Sequence, residues 1–397
     1  MTAGTARAVL DPAHPALPSD CTTYVPHMSD HALAVAAAMR ATGVPAEVLP
    51  LSDAESLRIG LSLCKGRECL PCFFTMGEIV RKCREPGFDS RTARFLTPTS
   101  AGPCRFGQYS VLQRQVLEQC GIHGVEIVSP TSDNAYAGFG DDPTRLRALA
   151  TQGVTAVDLL QKLLHERRPF EREAGHTDAA YAACLDEVVR GVERGGGTAL
   201  VAAMRAAAAR FSRLPANDGS RPAVGLLGEI YLRLNSSANQ QVIRAVEAAG
   251  GYVVMATMAE WVAYTNWGRI QRAKVKRDWK DLGAAYLLEL YQWNVDRRLF
   301  APVKPLLGTE AVLTMGCAIH MAREGISGIL HVMPFSCMPG IIVTGIAPRL
   351  RQELGGIPWL DLTYDGQEKT NVKTRLEAFM HQVFQQQRRR MSHAPLA

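Results

Sequence analysis

The feature that most constrains this chain is an alternation of apolar, strand-length runs with helical stretches, begun twice. From Thr22, TTYVPHM reads as a strand, SDHALAVAAAMRATG as a helix capped at Ser29 or Asp30 and stopped at Gly43, and AEVLPL as the next strand. Helix FFTMGEIVRKCREPG, strand ARFLTPT, helix QYSVLQRQVLEQCG and strand VEIVSPT continue it. At Ala223 the pattern restarts with AVGLLGEIY, helix SANQQVIRAVEAAGG and strand YVVMAT. It resumes with strand GILHVMPF, helix PGIIVTGIAPRLRQELGG, strand PWLDLTY and a last amphipathic helix, NVKTRLEAFMHQVFQQQ. Alternation of this kind implies the α/β class, with two doubly wound parallel-sheet domains of Rossmann or flavodoxin-like type.

Between Asp141 and Leu214 strand signals give way to alanine-rich helical text, and LPANDGSRP follows as a linker. The expected division is a disordered N-terminus over 1–20, an N-terminal α/β domain over 21–140 and a helical insert or cap over 141–215. A C-terminal α/β domain over 222–397 then carries a helical excursion at about 259–300. A chain of 397 residues is long enough for several domains.

The composition, 47% hydrophobic and 21% charged, is that of a globular protein. No apolar run approaches the ~20 residues of a spanning helix, and the N-terminus lacks the apolar stretch of a secretory signal. The expected compartment is the cytoplasm, with no membrane or nucleic-acid partner. The net charge of +6 is concentrated in RIQRAKVKRDWK (269–280) and in Arg388, Arg389 and Arg390. These stretches read as solvated helix faces or as docking faces for an acidic partner or ligand phosphates.

The compartment bears on the ten cysteines, because a reducing environment makes clustered thiols better candidates for metal or redox chemistry than for disulfides. Cys120 and Cys184, in Ala/Leu-rich helical text, read as small core residues. The stretch CKGRECLPC sets Cys64, Cys69 and Cys72 in a C-x4-C-x2-C spacing just before a helix expected to begin near Phe73. Strand ARFLTPT runs into SAGPCRFG, which places Cys104 in a Gly/Pro loop before a helix, and GILHVMPF runs into SCMPG, which does the same for Cys337. Ligands of open α/β sheets bind beyond the carboxyl ends of the strands. A helix N-terminus offers unpaired N–H groups and the positive end of its dipole, which suit thiolates and an anionic iron–sulfur core.

Other readings fit parts of this pattern. CLPC alone matches a redox dithiol, but CKGRE is no strand to lead into it. The spacing also imitates a plant-type two-iron ferredoxin, although the intervening helix argues against that fold. Structural zinc would accept four thiolates but would not account for their place at the ligand ends of two domains. There is no G-x-x-x-x-G-K-[ST], G-x-G-x-x-G after a strand, G-x-S-x-G or H-E-x-x-H, so any ATP or NADH chemistry falls to another protein.

GRECLPC with TMGEIV, TPTSAGPCRFGQYSVLQR, VGLLGEIYLRLN, MPFSCMPG and LTYDGQEKTNVKTRLEAF together resemble the 2-hydroxyacyl-CoA dehydratase and benzoyl-CoA reductase superfamily. They look most like its branch of double-cubane cluster proteins and activase fusions. The match runs from about Thr22 to Phe384. It implies that Cys69, Cys104 and Cys337 ligate a [4Fe–4S] cubane between the domains. In the double-cubane branch two cubanes share a sulfide as an 8Fe–9S cluster; Cys64 and Cys72 would supply extra thiolates, with Cys317 the remaining candidate for a sixth metal ligand and Cys83 a weaker one.

The resemblance also implies a homodimeric, actin-like ATPase activator with its own iron–sulfur cluster, which binds the ATP that this chain does not and delivers single low-potential electrons. The expected function is that of an iron–sulfur oxidoreductase, the homodimeric reductase component of an ATP-dependent system acting on a small substrate. The alternatives are a lyase, a 2-hydroxyacyl-CoA dehydratase, or an aryl-CoA reductase subunit with a single cubane, and a non-catalytic electron carrier or cluster scaffold. Glu68, Arg105, Glu229, His320 and His331 lie near strand ends or cysteine loops without an assigned catalytic role.

Overall fold

The computed structural model describes residues 21–99, 104–130, 140–263, 310–367 and 372–393. The expectations of disorder over 1–20 and of a helical excursion fall outside them, apart from helical residues 258–263.

Among the described residues eight strands form two four-stranded sheets. The first holds β1 (Thr22–Val25), β2 (Ala46–Val48), β3 (Ala93–Leu96) and β4 (Glu126–Val128) in the order β2-β1-β3-β4, and every pairing is parallel. The second holds β5 (Ala223–Gly228), β6 (Tyr252–Met255), β7 (Gly328–Pro334) and β8 (Trp359–Tyr364) in the order β6-β5-β7-β8, again all parallel. Each sheet therefore has a switch point where successive connections depart in opposite directions: between β1 and β3, and between β5 and β7. Crevices open there at the carboxyl ends of the strands. All seven residues of β7 are buried, as a strand covered on both faces requires.

One face of the first sheet carries α1 (His31–Ala41), on which α5 (Pro143–Arg167), α6 (His176–Glu193) and α7 (Gly197–Arg213) are layered. Ala34, Ala36, Ala37 and Ala38 present no side chain larger than a methyl, so α5 comes close enough that a Cβ on Gly153 would lie 2.9 Å from that of Ala34. The helical insert thus shares a core with the N-terminal sheet. Buried Arg168, just past α5, pairs with Asp178 at 2.9 Å and with Glu247 on α9 (Val242–Ala248) at 2.8 Å, so it also ties the insert to the C-terminal domain.

The opposite face of the first sheet is covered by α2 (Ala54–Leu63), α3 (Leu70–Cys83) and α4 (Tyr109–Gln119). The sequence reading did not anticipate α2. Asp53 caps it, its side chain accepting from Ser56 N at 2.8 Å. α2 and α3 form a hairpin in backbone contact: a Cβ on Gly60 would lie 1.8 Å from the Phe73 carbonyl oxygen, and one on Gly77 would lie 1.7 Å from that of Ser56.

α3 begins at Leu70, three residues before the expected start near Phe73, because a proline in the first helical turn sacrifices no intrahelical hydrogen bond. Leu70, Phe73 and Phe74 of its first turn join the core of the second domain with Leu226, Leu232 and Leu330. Each such burial stabilises by roughly 1.5–3 kcal/mol, and together they lock the domains along the cysteine loops. Above that contact Ser52 Oγ lies 2.9 Å from Tyr231 Oη and 2.8 Å from Asn235 Nδ2, and it donates to Glu78.

The second sheet is sandwiched between α8 (Ile230–Leu234), α9 and α12 (Val372–His393) on one face and α10 (Ala311–Arg323) and α11 (Met338–Glu353) on the other. No helix among the described residues is long and apolar enough to cross a membrane.

Candidate metal centre

Three cysteines stand at helix starts. Cys69 is the N-cap of α3, Cys104 that of the 3-10 turn Arg105–Gln108 leading into α4, and Cys337 that of α11, each in extended backbone. Cys104 follows β3 and Cys337 follows β7, so both occupy the switch-point crevices. The residue before Cys337, Ser336, takes a left-handed φ of 60°. Such a conformation in a non-glycine residue is held by its surroundings and is concentrated at binding loops.

The three thiols, drawn from both domains, lie within electrostatic range of one another. Burial is the largest influence on each: it pushes Cys69 up to about 11 and Cys104 up to about 12, and raises Cys337 further. Cys69 adds to the rise of Cys104, and both add to that of Cys337. Glu229 raises all three, while Arg105 and the Tyr109 hydroxyl draw Cys69 down. Tyr109 Oη lies 2.5 Å from Cys69 Sγ.

Cys64 and Cys72 form a second pair beside them. Cys72 is fully buried in the first turn of α3, and its thiol is raised first by a hydrogen bond with Cys64 and then by burial, with Cys69 adding to the rise. Cys64, at the C-cap of α2, packs against the core of the second domain. The α2–α3 hairpin fixes the whole stretch from its two ends.

Cys317 is turned elsewhere. It is buried on α10, and its thiol donates to Glu260 Oε2 at 2.9 Å. Cys83 closes α3 far from its N-cap, and Cys184 is buried in the helical layer.

Glu229 is the carboxyl whose charge reaches all three thiols. It caps α8, its carboxylate accepting from Leu232 N at 2.9 Å, and burial pushes it up to about 7. Arg105 begins the turn after Cys104. His331 belongs to the sheet instead, with Nδ1 2.7 Å from Asp361 Oδ1, and Glu68 accepts from the Arg67 amide within its own loop. His320 sits in the last turn of α10.

This concentration of thiols, with a carboxyl among them, is a poor place for free thiolates, and the raised values express that. Coordinated metal ions would remove the conflict, since coordination deprotonates a thiol outright. Among the described residues no group of three or more His, Cys, Asp or Glu is placed to hold a metal ion. One zinc gathers its sulfurs at about 2.3 Å; a four-iron cubane spreads its thiolates over separate iron atoms. The donor set, all sulfur and placed at three helix N-termini, fits the cluster.

Two relationships escaped the sequence reading. Tyr109 and Cys69 are forty positions apart, with no periodic signal to link them. Glu229 was placed at a strand end, but its proximity to thiols of both domains depends on how the sheets pack. No family model and no curated protein matches the chain.

Proposed function

We propose that Cys69, Cys104 and Cys337 hold a cubane-type iron–sulfur cluster between two flavodoxin-like domains, with Cys64 and Cys72 available to a second cubane. On this reading the chain is the reductase component of a two-protein system, and a separate ATP-hydrolysing activator supplies its low-potential electrons. The carrying observation is that three cysteines, each opening a helix and drawn from both domains, come within electrostatic range of one another at one place. The strand order 2-1-3-4 in each sheet supports the flavodoxin-like assignment.

When bound, the cluster would supply one-electron reduction of a small substrate. The chain's own residues would do the rest. The helix N-termini and the Tyr109 hydroxyl stabilise anionic sulfur. Glu229 holds a proton at its carboxyl beside the thiols, where a reduced product needs one. The packed α2–α3 hairpin and the shared core keep the loops rigid and limit water.

Anaerobic purification with iron and sulfide counts and EPR tests this reading: about eight irons per chain indicate a double cubane, about four a single one of dehydratase type, and none overturns the proposal. Cys104→Ser and Cys337→Ser should each lose most of the iron. Full retention in either would remove that residue from the ligand set.

A further inference from the structure

Behind the cysteine loops lies a cavity of ≈ 250 Å³. Its walls come from the carboxyl ends of β1 and β3, from α1 and α5, from Tyr231 of the second domain, and from helical residues 258–263 as a roof. Most of the lining is apolar, with Met39, Leu96 and Val154 on one side and Trp261 above. It meets the thiol site at two residues: Tyr109, hydrogen-bonded to Cys69, and Phe106, two positions after Cys104.

Two basic side chains reach this lining. His31 has both ring nitrogens engaged, Nδ1 2.7 Å from Ser29 Oγ and Nε2 3.0 Å from Asp158 Oδ1. Asp158 also accepts from the amides of Met258 and Ala259 at 2.9 and 2.8 Å, so this chain of contacts is structural and fastens the roof to α5. Arg147 is different, because its Nη1 is buried without a hydrogen-bond partner. A guanidinium N–H shielded from water and unpaired is unfavourable, and its natural complement is a carboxylate.

We propose that this cavity takes a small organic acid, a phenyl-sized apolar body ending in one free carboxylate, with Arg147 as its anchor. A void of about 150 Å³ already holds benzene, so the volume here accommodates a ring and a short carboxylate arm. The acid's apolar body lies against the wall formed by Phe106 and Tyr109, next to the cysteine loops. An ester or thioester of the same acid lacks the charge that Arg147 is placed to meet. This names the substrate class of the reductase reading and rests on it for the fate of the bound acid; the binding stands on the cavity alone.

The test is calorimetric titration of the full chain with 3-phenylpropionate and with its methyl ester, before and after iron is removed by chelation. The acid should bind at one site about tenfold or more tighter than the ester, the size of a lost charged hydrogen bond. Arg147→Met should bring the two within about twofold, and Ala150→Trp, which fills the cavity from α5, should abolish both. If Arg147→Met fails to fold by circular dichroism, Arg147→Lys takes its place; its loss of the forked contact should cut the preference for the acid at least threefold. Equal binding of acid and ester by the wild type, no binding of either, or an unchanged preference in the Arg147 variant overturns the proposal. Acid binding by a protein that never carries iron removes the cluster reading alone, and iron without acid binding removes the cavity proposal alone.

Discussion

Tyr109 Oη lies 2.5 Å from Cys69 Sγ, so the residue that opens α4 reaches across to the residue that caps α3. A hydroxyl so placed donates to a sulfur that carries negative charge. In Tyr109→Phe the iron content should be unchanged and the reduction potential should move to more negative values. A differential loss of ~1 kcal/mol corresponds to roughly 40 mV for one electron. Redox titration followed by EPR measures it, and an unchanged potential would show that this hydrogen bond does not tune the site.

The contact of α2 with α3 leaves no room for a methyl group. Gly77→Ala puts a Cβ against the Ser56 carbonyl oxygen, and backbone cannot move aside as a flexible side chain can. Overpacking of this kind costs about 3 kcal/mol or more, and here it wedges apart the two helices that carry Cys64 at the end of one and Cys69 at the start of the other. Both the thermal midpoint and the bound iron should fall. Gly43→Ala, at a turn with open space but a φ of 82°, should lower stability and leave iron in place.

Glu78 predicts an alkaline weakness. Its carboxyl is buried between Ser52 and Tyr231, its Oε2 has no hydrogen-bond partner, and burial pushes it up to about 7. The folded protein holds a proton there that the unfolded chain releases near 4.5. The stabilisation is fully present below that pH and is lost as the pH rises through about 7. A shift of this size corresponds to about 3 kcal/mol. Glu78→Gln keeps the acceptor for Ser52 and removes this titration, so its midpoint should decline less steeply than that of the wild type, with Glu229, also raised to about 7, accounting for the remainder. A wild-type midpoint that does not decline from pH 5 to 8 would contradict this.

His165 predicts the opposite limb. It is buried on α5, where burial first and then the charges of Arg168 and Arg244 push it down to about 3. The unfolded chain binds this proton at 6.5 and the folded one does not, so stability is complete above 6.5 and falls as the pH drops toward 3. One such proton steepens the loss by about 1.4 kcal/mol per pH unit. Urea unfolding at pH 6.5, 5.5 and 4.5 should show this slope reduced in His165→Gln, and equal slopes would assign the acid limb to other groups.

The sheets were legible in the sequence because parallel strands buried on both faces are short apolar runs, as GILHVMP is between its flanking helices. The loops of Cys104 and Cys337 were legible for the same reason, since each strand end points to its loop. Less visible was the stretch between β2 and β3. Alternating small and apolar residues in ESLRIGLSL hid α2, and a start near Phe73 left out the turn of α3 that holds Leu70, Pro71 and Cys72. Tyr109 and Arg147 carry nothing in their local sequence to set them apart, and Glu229 was marked only by its strand end, because their surroundings arise from approach between distant segments.

The entry of Leu70, Phe73 and Phe74 into the second domain's core bears on how the protein is made. These side chains leave the ribosome well before β5 and β7, the strands they pack against, have been synthesised. Until then the nascent chain carries an exposed apolar patch beside a thiol set that still lacks Cys337. Such a surface is prone to association and invites chaperones. If these thiols take the cluster proposed above, its loading would follow translation of both domains, and truncated products would be left with unfilled cysteines.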